Sequence, residues 1–162
     1  MFAWTAAGDR IPYRARSDGG RDGIVAGRAP QLAQRVAEIE AVIAALPQLE
    51  NADPSRLVLA GHSFGAATAL LAARKIGCDQ VIMLDTWAAP IPEAVLKDEA
   101  KLPKQVLSLC SVAFANDRDP NTFAPLAESA IPTFLDPSTE QHTWFSDVAI
   151  LLPTVPDPGC AA

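Results

Sequence analysis

Leu57-Val58-Leu59-Ala60-Gly61-His62-Ser63-Phe64-Gly65-Ala66-Ala67-Thr68 is the stretch that decides the fold. An apolar run breaks at Gly61-His62-Ser63-Phe64-Gly65 and passes into small residues compatible with a helix. A strand turning sharply into a helix around G-x-S-x-G is a nucleophile elbow, with the serine exposed at its tip. The chemistry requires that shape, because a serine hydroxyl is a weak nucleophile and must be presented to a base. Gly61 and Gly65 are read as the positions where a missing side chain lets neighbouring backbone come close. The following helix aims its positive end at a developing oxyanion, with the Phe64 N–H as the donor. At average glycine and serine usage the pattern arises by chance about 0.05 times in a chain of this size. The elbow therefore outweighs an ordinary glycine-rich turn.

The base follows by elimination, since the chain has two histidines. His62 adjoins Ser63 on the strand side and is expected to point away and pack beside the turn. That leaves His142, in Glu140-Gln141-His142-Thr143-Trp144-Phe145-Ser146-Asp147, after a β-like run Ile131-Pro132-Thr133-Phe134-Leu135 and a turn Asp136-Pro137-Ser138. A loop histidine is ordinarily just solvated. With Ser63 upstream and no competitor, His142 is the candidate base. Candidate acids are Asp85, Asp117, Asp119 and Asp136. Asp85 ends the apolar run Val81-Ile82-Met83-Leu84, at the carboxyl edge where open α/β sheets gather their sites. Asp119, after the run Gln105–Ser111, is its rival. Position favours Asp85 but leaves both open, and the alternative role for Asp85 is to cap a following turn.

Three segments resemble the platelet-activating factor acetylhydrolases, plasma and intracellular type II, of the α/β-hydrolase superfamily. They are Gly61-His62-Ser63-Phe64-Gly65-Ala66-Ala67-Thr68, Leu84-Asp85-Thr86-Trp87-Ala88-Ala89-Pro90 and His142-Thr143-Trp144-Phe145-Ser146-Asp147. Ile11-Pro12-Tyr13-Arg14 and Gln31–Ile39 add to the likeness, which spans roughly residues 5–150. In that family an Asp-x-Trp-x-x-Pro segment carries the triad acid and a His-x-x-Phe-Ser/Ala-Asp segment the base. The resemblance thus implies a Ser63–His142–Asp85 triad, an acyl-enzyme and no cofactor. It implies a small ester or a phospholipid with a short or oxidised sn-2 acyl chain as substrate. Ala66 stands where the family usually has glycine, and Thr143-Trp144 is an unusual filler that reshapes the pocket beside the base. Trp87 and Trp144 are the candidate pocket residues. Other elbow hydrolases, dienelactone hydrolase-like or feruloyl-type, are the alternative, as is a catalytically impaired fragment.

The expected architecture is a partial α/β-hydrolase fold, a mainly parallel sheet with helices on both faces, because β and α patterns alternate. Phe2–Ala7 reads as a strand and 8–29 as a Gly/Arg/Asp loop whose arginines are solvated. A helix over 30–46 presents Leu32, Val36, Ile39, Ile43 and Leu46 on one face and ends at Pro47. A strand over 56–60 leads to the elbow helix, which stops at Gly77. A strand over 80–84, an apolar loop over 86–102 that caps the pocket, and strands near 104–111 and 131–135 follow, with a helix in 120–129. The residues 150–162 read as a turn-rich tail of the same single domain. Family members place several strands and a second oxyanion donor before the elbow. With one strand read there, the chain is expected to be incomplete at its amino terminus and to self-associate through an open sheet edge.

Composition agrees with one domain: 162 residues, 49% of them apolar. A net charge of −6 argues against nucleic acid as a partner. No run of the sequence is long enough to span a membrane. Met1-Phe2-Ala3-Trp4 lacks the pattern of a signal peptide, so the expected location is cytoplasmic. Three cysteines form neither a disulfide framework nor a metal-ligand spacing.

Overall fold

Val81 and Met83 lie two residues apart, share one side of a strand and are both fully buried, whereas Gln80 at the start of that strand is exposed. This computed structural model describes residues 19–49, 53, 55–116 and 124–136. The expected strand Phe2–Ala7, the tail, Asp117, Asp119, His142 and Trp144 lie outside the described residues, as does the side chain of Asp136.

Among the described residues, four strands, β1 (Leu59–His62), β2 (Gln80–Leu84), β3 (Gln105–Ser111) and β4 (Thr133–Asp136), make one sheet in chain order. Every pair is parallel, with Leu59 opposite Val81, Leu84 opposite Leu109, and Leu109 opposite Phe134. Parallel neighbours need crossovers, and the helices supply them. The sheet is therefore a mainly parallel one flanked by helices, as the alternating pattern predicts. β2 and β3 fall where the sequence places them. β1 lies nearer the elbow than the expected 56–60.

The first helix, α1 (Gly20–Ala45), starts ten residues before the expected 30. Residues 20–29 are thus helix, not loop. The reason is burial: Ile24 sits two helical repeats ahead of Leu32 on the same stripe, and both are 4% exposed. That packing outweighs the cost of Gly23 and Gly27 in a helix, about 1 kcal/mol each against alanine. Pro30, inside the helix, is exposed, so water can serve the carbonyl that its missing N–H leaves behind. A 3₁₀ turn at Leu46–Gln48, holding Pro47, closes the helix.

After the elbow, α2 (Phe64–Ile76) lies against β1 and β2. Ala66, Ala67, Ala69, Ala72 and Ala73 are buried, and their small side chains let the helix lie close to the sheet. Gly77 ends it at φ 73°, a left-handed cap that few other residues tolerate, with the Cys78 N–H donating to the Ala73 carbonyl at 3.0 Å. Past β2, Ala88, Ile91 and Leu96 are at most 2% exposed. The stretch 86–102, with a short helix α3 (Glu93–Lys97), thus sends apolar side chains into the core. Two single-turn helices, α4 (Val112–Ala115) and α5 (Ala124–Ala127), flank the way to β4, the second inside the expected 120–129. Leu126 joins Leu32, Leu70, Val81 and Met83 in the core. Along the other side of the strands, Leu107 is 43% and Phe134 58% exposed.

Candidate active site

Ser63 joins β1 to α2 with φ 55° and ψ −119°, a backbone region that L-residues rarely occupy. It is the N-cap of α2, and serine at an N-cap ordinarily turns its hydroxyl back onto the helix. Here the side chain makes no such bond, so Oγ is not spent on capping. The turn is held by backbone: Ser63 N–H donates to the Leu84 carbonyl at 2.9 Å, and the Ser63 carbonyl accepts from Trp87 and Ala66 N–H at 3.3 and 3.1 Å. Phe64 opens α2, and its N–H is one of the helix-end donors for which no carbonyl lies a turn before.

The two glycines of the motif differ. A Cβ on Gly61 would collide with the Gly65 carbonyl and lie 2.6 Å from the Ala66 nitrogen, so glycine is required there. A Cβ on Gly65 meets nothing within 4 Å. The expectation that both glycines admit close backbone is thus corrected: Gly61 does so, while Gly65 leaves open space in a cleft.

Asp85 is the next residue after β2 and stands beside Ser63 at the carboxyl edge, its N–H bonded to the Leu109 carbonyl at 2.9 Å. It is fully buried, with φ 41°. Ser63 and Asp85 are, among the described residues, the two non-glycine positions with positive φ. Strain of this kind costs about 1–3 kcal/mol each and collects at functional sites. The Asp85 carboxylate accepts from Ser111 twice, Oδ1 from the backbone N–H at 2.5 Å and Oδ2 from the hydroxyl at 2.7 Å. Ser111 Oγ also accepts from Phe114 N–H at 3.2 Å, capping α4. Burial, then the neighbouring Asp85 charge and a hydrogen bond to it, push the Cys110 thiol well above its usual range. Cys110 is therefore an inert thiol.

A cleft of about 670 Å³ runs along β1 between α1 and α2, with Ser63, Gly65 and His62 at one end. Its walls are mostly apolar, including Ile39, Ile43 and Leu59, with Arg35 and Glu38 as the charged exceptions. Trp87, expected to line the pocket, is not among its lining residues. It packs against Phe64 with ring centroids 5.8 Å apart. Arginines lie over this aromatic pair: Arg35 is 4.8 Å from the Phe64 ring, and Arg28 is 5.8 Å from Phe64 and 5.4 Å from Trp87. Neither Arg28 nor Arg21 lies in a solvated loop as expected, since Arg21 Nη2 donates to the Ile91 carbonyl at 3.0 Å. Among the described residues, no group of three or more His, Cys, Asp or Glu is placed to hold a metal ion.

The elbow, the buried acid and the parallel sheet meet in one sequence comparison. A model of the alpha/beta hydrolase family matches residues 4–162. The chain belongs to that family. No curated protein and no solved structure matches it. In this alpha/beta hydrolase, Ser63 and Asp85 are brought together at the ends of adjacent strands. Two groups at the site went unread in the sequence. Ser111 merely closes an expected strand there, and Arg35 is the one cation of the expected helix 30–46, beside its apolar stripe. No helix among the described residues is long and apolar enough to cross a membrane.

Proposed function

We propose that this alpha/beta hydrolase is a serine carboxylic-ester hydrolase similar to the platelet-activating factor acetylhydrolases. Ser63 Oγ attacks the ester carbonyl and His142 takes its proton. Asp85 orients His142 and stabilises its charged form, and the Phe64 N–H holds the oxyanion. The alcohol leaves with the proton from His142. Water then attacks the acyl-enzyme with His142 as base, releasing the acid. The substrate class is a small ester or a short-acyl phospholipid. The observation that carries this reading is Ser63 in its strained turn, its hydroxyl unspent on helix capping. The buried Asp85 beside it, oriented by Ser111, supports the acid's part.

A fluorophosphonate probe and a p-nitrophenyl acetate assay test the proposal together. The expected result is one probe per chain, on Ser63, with ester turnover that the probe abolishes. No labelling and no turnover at any ester would sink it.

A further inference from the structure

We infer that Arg35 is a specificity residue that binds an anionic oxygen group, carboxylate or phosphate, on the substrate. This rests on the ester-hydrolase reading and adds a substrate class to it: esters with an anionic end.

Arg35 and Ser63 line the same cleft. The guanidinium lies 4.8 Å from the ring centre of Phe64, the residue next to Ser63. A cation–π contact of this kind uses the charge but none of the N–H donors, which stay available to other partners. Arg35 is half-buried, and among the described residues it makes no ion pair with a carboxylate. Glu38, on the same helix, also faces the cleft, but its Oε1 accepts from Gln34 Nε2 at 3.0 Å. Arg28 adds a second positive charge at the aromatic pair, its Nη1 steered by Gln31 Oε1 at 2.7 Å. A chain of net charge −6 thus sets two cations over the Phe64–Trp87 pair, one of which, Arg35, shares the cleft with Ser63. A planar, partly dehydrated guanidinium pairs with a carboxylate or phosphate through two parallel hydrogen bonds. An apolar cleft with one cation near the reacting serine suits an ester whose acyl or alkyl chain ends in such a group.

A purely structural arginine would do no more than pack its stem on Phe64. Arg35→Met keeps much of that packing and removes the charge. The ratio of kcat/KM for mono(4-nitrophenyl) glutarate to that for 4-nitrophenyl butyrate is the readout, in the full chain. Wild type is expected to favour the glutarate ester. Arg35→Met is expected to lower the ratio about 10- to 100-fold, through KM. Arg35→Lys should restore part of it. An unchanged ratio, with both esters hydrolysed, overturns the inference and leaves the hydrolase reading intact. Calorimetric titration with glutarate and with inorganic phosphate tests the anion site without turnover. Binding lost in Arg35→Met sustains the site even if no ester is cleaved, and in that case the hydrolase reading falls instead. Tighter glutarate assigns a carboxylate, tighter phosphate a phosphate. No binding of either anion overturns the inference.

Discussion

Ser111 holds both oxygens of the Asp85 carboxylate, through its backbone N–H at 2.5 Å and its hydroxyl at 2.7 Å. The end of β3 therefore sets the direction of an acid carried by the end of β2. Ser111→Ala removes the hydroxyl contact and also the cap on α4, in a fully buried place. Hydrogen bonds to a charged group are worth about 1.5–3 kcal/mol. The variant should lose about 2–3 kcal/mol in denaturant unfolding, and ester turnover should fall because Asp85 Oδ2 loses the hydroxyl that orients it. Wild-type stability and rate would show that the backbone N–H alone suffices.

Ser63→Ala, His142→Ala and Asp85→Asn should each abolish most ester hydrolysis. Triad members act as a unit, so Ser63→Ala with Asp85→Asn should be little slower than Ser63→Ala alone. Initial rates with p-nitrophenyl acetate check this. Full activity in Asp85→Asn with loss in Asp119→Asn would move the acid role to Asp119.

The glycines of the elbow should respond in opposite ways. Gly61→Ala forces a Cβ into the Gly65 carbonyl and should cost about 3 kcal/mol or more, with fluorophosphonate labelling lost. Gly65→Ala enters open space, so stability should shift by no more than about 1 kcal/mol. Because Gly65 lines the cleft, its alanine variant should discriminate against bulky acyl groups while still taking the label. Melting curves and labelling of the two proteins side by side decide it.

Cys110 predicts a pH dependence. Its thiol is raised above the ordinary 9.0 by burial and by Asp85, so the folded chain keeps the proton where the unfolded chain releases it. The stabilisation is complete below about pH 9 and declines as pH rises above it, by about 1.4 kcal/mol per unit. Urea unfolding at pH 8 and pH 10 should show a smaller loss in Cys110→Ala than in the parent. An equal loss in both would remove Cys110 as the cause.

Strands and helices were legible where the pattern was unbroken. The run Val81–Leu84 is continuous and apolar, and β2 coincides with it. Gly77 marks the end of α2 because only a left-handed cap explains a glycine there. The first turns of α1 were illegible because Gly20, Gly23 and Gly27 read as loop, and the burial of Ile24 that overrides them is a tertiary fact. Within the candidate site, flanking glycines marked Ser63 as the candidate nucleophile, whereas position after a strand left Asp85 and Asp119 both open as the candidate acid. Ser111 was unmarked, since a serine closing a strand carries no sign of the carboxylate it will meet from 26 positions earlier. Arg35 stayed hidden because helical periodicity tells which side chains are apolar, not which ring a cation will lie over.

Exposed Leu107 and Phe134, with β1 and β4 as the outer strands among the described residues, predict association at high concentration. Light scattering should show mass rising with concentration, and Leu107→Lys with Phe134→Lys should suppress it. A monomer of 17.1 kDa at every concentration would contradict this.

Among the described residues, strand order along the sheet equals order along the chain. As the ribosome releases the polypeptide, each strand can dock on the one before it without waiting for a distant segment. The elbow is tied down when β2 arrives, through the Leu84 carbonyl, and Asp85 is secured only when Ser111 emerges. His142 leaves the tunnel later still. On the proposed mechanism, a nascent chain of this kind exposes Ser63 well before the His142 that would take its proton.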